Sequence, residues 1–370
     1  MRLAVYNVEN LFDRPRVMNQ GTWEQGKEIL QDYAELARLL GEAEYPPAVR
    51  LRMVELMTRL GLAKKDEGRF VLLRRNRGNL LRRSEPAGLE IIADGRADWS
   101  GTLELVEEPV DAVAMRLTAR VIRDLGADVL AVVEAESRPV LAQFNQRIVA
   151  AEGGRPMAHV MVIDGNDSRG IDVGLMTGPA YPIDLMRSHV DDRDARGEAI
   201  FSRDCPEYRI ALPGGGSMWV LVNHFKSKGY GTPAASARKR AAQAQRVREI
   251  YEARIAQGDA LVAVVGDLND TPTSKALAPL LGHTDLRDAF DHPAFDRGGH
   301  AGTHGPCKAA DRIDHLLLSP ALHARVERGG VIRRGMWPGS RPARWEVYPE
   351  LDDPRHAASD HAALWVDLAV

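Results

Sequence analysis

Residues 262–274 read VAVVGDLNDTPTS, an apolar run that ends in Gly266, Asp267 and Asn269. Val262 to Val265 show no polar alternation, and a run this short and this apolar suits a β-strand covered on both faces. Asp267 and Asn269 stand two residues apart, so on an extended segment their side chains share one side. Taken alone, an Asp followed by an Asn at a strand end is more often a turn former than a ligand. Its neighbours in the sequence decide between the two.

Seven further runs have the same character: 3–8, 129–133, 160–163, 173–176, 219–222, 315–318 and 362–368. Amphipathic stretches lie between them. Asp111 is placed to cap a helix that turns Val113, Leu117, Val121 and Leu125 inward, with Gly126 as its stop. Ser137-Arg138-Pro139 opens a second helix with Leu141, Phe144 and Ile148 on one face. A third, over about 234–257, sets Ala244, Val247, Ile250, Tyr251 and Ile255 against Arg238, Lys239, Arg240, Arg246, Arg248 and Arg254. Strands alternating with helices make the class α/β. The rhythm fails between Asp13 and Asp111, where two helical stretches (23–41 and 47–62) precede the basic segment GRFVLLRRNRGNLLRR. No Ser/Gly linker or internal repeat marks it off, so 14–110 reads as an insertion into one catalytic domain spanning 1–370.

The bulk numbers exclude several classes. Hydrophobic residues at 44% and charged residues at 27% argue against disorder, and a net charge of -3 means that any polyanion must be met by local patches. Cys205 and Cys307 have no partners at structural-zinc spacing and suggest no disulfide framework. The opening MRLAVYNVEN puts Asn7 and Glu9 where a signal peptide needs apolar residues. No window approaches the ~20 apolar residues of a membrane span, so the expected location is the cytoplasm, with no membrane partner.

Six segments then place acids, amides and histidines at or beside strand ends: Asn7 and Glu9; Glu134; Asn223 and His224; Asp267 and Asn269; Asp314; Asp360 and His361. Five carboxylates, three amides and two histidines form the oxygen-rich set preferred by a hard cation such as Mg²⁺ or Mn²⁺. No Cys/His cluster suggests zinc, and no GxxxxGK[ST] or GxGxxG motif suggests a nucleotide cofactor.

In this order, with GDxN at 266–269 and SDH at 359–361, the segments resemble the endonuclease/exonuclease/phosphatase superfamily. The resemblance covers Arg2 to Phe12 and resumes near Asp111. It implies a four-layer sandwich of two packed mixed β-sheets flanked by helices, with an insertion after the first strand. It also implies a divalent-metal-dependent phosphoesterase. By the resemblance, Asn7, Glu9, Glu134 and Asp360 form the metal set, and Val133 stands where the family usually has Gln. His224 resembles a phosphate-contacting His, and Asp267 and Asn269 the pair that handles the attacking water and the scissile phosphate. Asp314 resembles the Asp that orients the last His, His361.

Arg169, Lys226 and Lys228 are the candidates to line a phosphate track. His304, His315 and His356 read as structural or solvated. Three stretches carry arginine without nearby acid: 69–83, 238–248, and 333–345, where Arg333, Arg334, Arg341 and Arg344 interleave with Trp337 and Trp345. Such stretches suit a phosphate backbone and stacked bases. They favour a nuclease acting on DNA, with Arg74, Arg75, Arg77, Arg82 and Arg83 gripping the backbone. The rival is a phosphatase or phosphodiesterase for a small phosphorylated metabolite or lipid headgroup. A catalytically dead scaffold that only binds nucleic acid is a third reading, and it conflicts with a full set of catalytic residue types.

Overall fold

The computed structural model describes residues 1–9, 11–17, 23–85, 88–167, 169–228, 232–339 and 344–370. They divide into two compact units, one built from Met1–Phe12, Val110–Lys228 and Pro233–Val370, the other containing Asp13–Pro109.

The larger unit holds two mixed sheets. In chain order its strands are β1 (Arg2–Asn7), β2 (Val129–Ala135), β3 (His159–Ile163), β4 (Asp172–Thr177), β5 (Ile183–Arg187), β6 (Glu207–Ala211), β7 (Ser217–His224), β8 (Val262–Asp267), β9 (Arg287–Asp288), β10 (Phe295–Asp296), β11 (Asp314–Leu318), β12 (Val326–Ile332) and β13 (Ala363–Leu368). The first sheet runs β10-β12-β13-β1-β2-β4-β3 and the second β5-β6-β7-β8-β11-β9. β1 is parallel to β2, and β7 to β8; β13 and β11 run antiparallel to β1 and β8.

The period-2 alternation of a strand builds the layers. From β1, Leu3 and Val5 enter a core shared with Val220, Val222, Ala263, Val265, Leu316 and Leu318 of the second sheet. Ala4 and Tyr6 face the opposite way, with Leu117, Val121 and Leu125 of α1 (Ala112–Leu125). On the far side of the second sheet, Leu221, Val262 and Val264 pack with Ala244, Val247, Ile250 and Tyr251 of the long helix Pro233–Ala256. The architecture is therefore helix, sheet, sheet, helix, and each expected apolar run lies in or overlaps a strand. Caps follow the sequence too: Asp111 accepts from Val113 N and Ala114 N, and Gly126 ends α1 in the left-handed region.

Five strands of this unit were not apparent in the sequence. β5, β9 and β10 are edge strands, while β6 and β12 mix polar with apolar residues (EYRIA, VERGGVI), so none makes a continuous apolar run. The smaller unit has its own core, with Leu36, Met53, Leu56, Met57, Val71, Leu73 and Trp99 all buried. Its helices Trp23–Leu40 and Pro47–Arg59 match the predicted stretches. The basic segment is β-structure: Val71–Gly78 pairs with Trp99–Leu105, and Leu81–Ser84 with Gly88–Ile91. Among the described residues no helix is long and apolar enough to cross a membrane, and Cys205 and Cys307 are buried and unpaired.

Gly266 shows how tightly the two central strands of the second sheet meet. Its φ is +138°, and a Cβ there would lie 1.9 Å from the Asn223 carbonyl oxygen on β7. Only glycine fits without spreading β7 from β8 just ahead of His224 and Asp267. Gly266→Ala should therefore lower the unfolding free energy by about 1–3 kcal/mol or more, read from urea denaturation; an unchanged midpoint would show that the strands separate freely.

Candidate active site

The parallel pairs β1/β2 and β7/β8 finish at the same edge of the sandwich, where the antiparallel β11 begins. Cross-strand register sets His224 opposite Asp267, and Asp267 opposite Asp314. Two carboxylates facing each other on neighbouring strands repel unless a positive group intervenes. His361 supplies it. Its Nδ1 lies 2.9 Å and 3.1 Å from the two Asp314 oxygens, and its Nε2 lies 3.9 Å from Asp267 Oδ2. Burial works against the imidazolium, but Asp314, Asp360 and Asp267 outweigh it and hold the His361 pKa well above the usual histidine value. Burial moves Asp267 above the carboxylate range, against the opposing pull of His361.

The remaining residues close around this pair. Asn7 Nδ2 stands 3.5 Å from both Asp267 Oδ2 and His361 Nε2. Asn269 donates from its backbone to Asp267 Oδ1 (2.8 Å) and from its side chain to Oδ2 (3.0 Å). The Glu9 backbone donates to Asn7 Oδ1, and Glu9 Oε2 accepts from Asp360 N. His224 Nε2 lies 3.6 Å from both Glu134 Oε1 and Asp267 Oδ2. These are not ion pairs, because burial, reinforced by Arg203 and Arg169, holds the His224 pKa well below its usual value and leaves the ring neutral.

Backbone strain concentrates here. The described non-glycine residues with positive φ are Glu9 (50°), Glu134 (66°), Asn269 (53°) and Cys307 (57°). Each such residue costs on the order of 1–3 kcal/mol and persists only where its surroundings over-determine it. Glu134 occupies a β-bulge: Val133 pairs with Val173 and Ala135 with Asp172, leaving Glu134 without a cross-strand partner. The bulge turns its carboxylate out of the ladder and toward His224.

Of the cationic candidates, Arg169 is largely buried and grips Asp167 through Nε (3.0 Å) and Nη2 (2.8 Å). Arg203, 2% exposed, pairs with the same Asp167 at 2.9 Å. Arg203 Nη1 also donates to the Phe225 carbonyl, which accepts from Asn269 Nδ2 as well. Burial, with the nearby charges of Arg169 and Arg203, pushes Lys226 down to about 8. Lys228 is exposed and paired with Asp270 at 2.9 Å. Asp172 accepts the Gly165 N–H, and burial raises it to about 6.

Nothing in the sequence around Arg203 (FSRDC) signals its place beside the site. Thr303 also escapes a sequence reading, as does the contact made by Ser359 of the SDH motif: Ser359 Oγ donates to Asn7 O, and Thr303 Oγ1 to Asp314 Oδ2 at 2.6 Å.

The donor chemistry fits a hard cation. Among the described residues, the His or basic group within 4 Å of the Glu134 carboxylate, 13% exposed at its side chain, is the neutral imidazole of His224 at 3.6 Å, beyond hydrogen-bond reach. An ionised carboxylate in such surroundings needs compensating charge. Among the described residues, the sets of His and acid donors within 4.8 Å of one another are Asp267–Asp314–His361 and His304–Asp360–His361. Glu134 belongs to neither, and an ion on Glu134 and Asn7 would keep several waters, as Mg²⁺ commonly does.

The three arginine-rich stretches look different in space than in sequence. Arg74 pairs with Glu104, Arg75 and Arg83 with Asp66, and Arg82 with Glu90. On the long helix, Arg240 meets Asp270, Arg246 meets Asp192 and Glu249, and Arg248 meets Glu252. Arg333 is buried on the carbonyls of Arg297, His300 and Gly302, and Arg334 reaches Glu346. Arg341 lies outside the described residues. His315 is structural, buried between Asp288 and the Asp270 carbonyl, and His356 bonds Asp352. His304 bonds Asp360.

Residues 86–292 match the Endonuclease/Exonuclease/phosphatase family. Among solved structures, the chain is similar to the mannosyl-6-phosphatase Bt3783 of Bacteroides thetaiotaomicron, with 17% identity, a TM-score of 0.50, and coverage of 70% of this chain and 92% of that one. It is similar too to an endonuclease/exonuclease/phosphatase family protein from Bacteroides thetaiotaomicron, with 18% identity, a TM-score of 0.50, and coverage of 69% and 86%. These likenesses show the fold. No curated protein sequence matches the chain.

Asp314→Asn removes the largest of the charges that favour a protonated His361. The His361 pKa should fall toward and below its ordinary value, followed by NMR titration of the ring; an unmoved pKa would show that Asp360 and Asp267 suffice.

Proposed function

This chain belongs to the endonuclease/exonuclease/phosphatase family, and from that premise we propose that it is a divalent-metal-dependent phosphodiester hydrolase. The observation that carries the reading is His361 held between Asp314 and Asp267, with Asn7 at 3.5 Å from both His361 and Asp267. In-line attack on a phosphodiester loads negative charge onto the phosphoryl oxygens and the leaving oxygen. His361, kept cationic by its carboxylates, donates from Nε2 to a phosphoryl oxygen. Asp267, whose raised pKa brings it nearer to neutral pH, accepts the proton of the attacking water. Asn269 fixes the Asp267 carboxylate through its backbone and side-chain N–H groups and adds no charge beside the phosphate. His224, neutral and buried, is a further donor on the side of Glu134. Arg169, Arg203 and Lys226 supply positive potential beside Asn269.

Glu134 and Asn7, with Asp360 and Glu9, are the residues that would hold Mg²⁺ or Mn²⁺. When bound, such an ion supplies Lewis-acid compensation for charge developing on the phosphate.

Two substrate readings remain. A nucleic acid, DNA first, suits two imidazoles and a cationic flank beside the site. A small phosphoester is favoured by a specific observation: the arginine stretches that suggested a backbone grip are largely answered by acids of their own unit. Paired guanidinium groups release fewer counterions on binding a polyanion. The ion pairs weigh toward the small ester.

A panel of plasmid, single-stranded and abasic DNA, RNA and small phosphoesters, each with Mg²⁺ and Mn²⁺, tests the choice. Turnover of small esters, with DNA binding that responds weakly to salt and to loss of Arg74, Arg75, Arg82 and Arg83, is the expected result. DNA cleavage that falls steeply with salt and with loss of those arginines would restore the nuclease. Glu134→Gln should weaken Mn²⁺ binding, read by electron paramagnetic resonance, by about tenfold or more and lower turnover with it. Full binding and full rate in that variant would remove Glu134 from the metal set.

A further inference from the structure

His304 takes no part in the reaction described above, yet its ring stands against that of His361, with centroids 4.6 Å apart. The two residues form an isolated antiparallel bridge. His304 Nε2 lies 3.1 Å from Asp360 Oδ2, and His361 Nε2 lies 3.6 Å from Asp360 Oδ1. One nitrogen from each ring and one Asp360 oxygen fall within 4.8 Å of one another.

The loop that presents His304 is tied at both ends. Its backbone N–H donates to Asp311 O, and its carbonyl accepts from Cys307 N. Gly302 N donates to Cys307 O, and Gly305 N to Asp360 O at 2.8 Å. A Cβ at Gly302 would lie 2.1 Å from the Lys308 carbonyl oxygen, so the loop closes tightly there. His361 Nδ1 is engaged by Asp314, which leaves Nε2 as its outward donor. A carboxylate behind an imidazole is the outer support that fixes the tautomer and orientation of a metal-binding histidine.

Two imidazole nitrogens and one carboxylate, with His304 and Asp360 open to solvent, make a donor set for a borderline ion of the Zn²⁺ type; Mg²⁺ prefers oxygen alone. We propose that His304, Asp360 and His361 form a second cation site, selective for zinc over magnesium, whose occupancy inhibits the enzyme. A zinc ion on His361 Nε2 would occupy the nitrogen that faces the phosphoryl oxygen, so that atom could no longer serve the substrate. The ion also shares Asp360 with the activating metal. The inhibition, though not the site itself, rests on the reaction proposed above.

Equilibrium dialysis of the metal-free full-length chain against Zn²⁺ alone reads the site without any substrate. The expected result is one zinc per chain, bound at least about tenfold more weakly after His304→Ala and little changed after Glu134→Gln. His304→Gln, checked by circular dichroism melting, serves if the alanine variant does not fold. Hydrolysis at saturating Mg²⁺ should fall as zinc is added, with the inhibitory concentration rising in the His304 variants by the same factor as the dissociation constant. No zinc retained at micromolar concentration, or wild-type zinc affinity in both His304 variants, would overturn the site. Zinc affinity lost in Glu134→Gln but kept in the His304 variants would place the ion elsewhere and overturn it equally. His304-dependent zinc binding by a chain that hydrolyses nothing would support the site and count against the proposed reaction instead.

Discussion

The apolar contact between the two sheets governs where everything else can go. Leu3, Val5, Val129, Ala131 and Val133 on one side meet Val220, Val222, Ala263, Val265 and Leu316 on the other. Burial of that many branched side chains stabilises the sandwich at roughly 1.5–3 kcal/mol each before conformational entropy is counted. It also fixes strand register, because a slip of one residue would turn every one of these side chains to the wrong face. Parallel pairing within each sheet then brings the ends of β1, β2, β7 and β8 to one edge. Polar residues placed just past the apolar runs have nowhere to collect except there. The left-handed backbone of Glu134, within β2, and of Glu9 and Asn269, two residues past β1 and β8, is tolerated because those strands cannot relax.

Electrostatics at that edge follow from the same geometry. Register places Asp267 opposite Asp314, a juxtaposition that would be destabilising without His361 between them. The arrangement couples the three groups, so the carboxylates raise the histidine while the histidine restrains the ionisation cost of Asp267. On the flank, Arg203 and Arg169 share one carboxylate, Asp167, whose pKa they hold well below the usual range despite burial. Arg203 and Asn269 share the Phe225 carbonyl, which sets this pair of guanidinium groups at the site rather than on a remote surface.

Much of this was legible in the sequence, for a physical reason. Strands covered on both faces show as short apolar runs, and eight such runs marked seven inner strands and the edge strand β3. Edge strands such as Ile183–Arg187 bury too little to leave that mark. The residues at the strand ends could be picked out because each follows or precedes an apolar run. Arg203 could not, since its burial depends on Asp167 and Phe225, contacts that no local pattern records. His304 read as structural or solvated because its partner lies 56 residues away. The arginine stretches lack acids in sequence but meet them in space. Arg74 and Glu104 are 30 residues apart in sequence and 3.1 Å apart across a strand pair, so an acid-free segment is not an unbalanced surface.

The central claim is that these strand ends form one metal-dependent phosphoester-hydrolysing site. Hydrolysis of bis(4-nitrophenyl) phosphate by the full-length chain, followed before and after chelation and then on return of Mg²⁺ or Mn²⁺, tests it most directly. The account predicts turnover that vanishes with the chelator and returns with the ion. Turnover indifferent to chelation, or none with either ion, would contradict it.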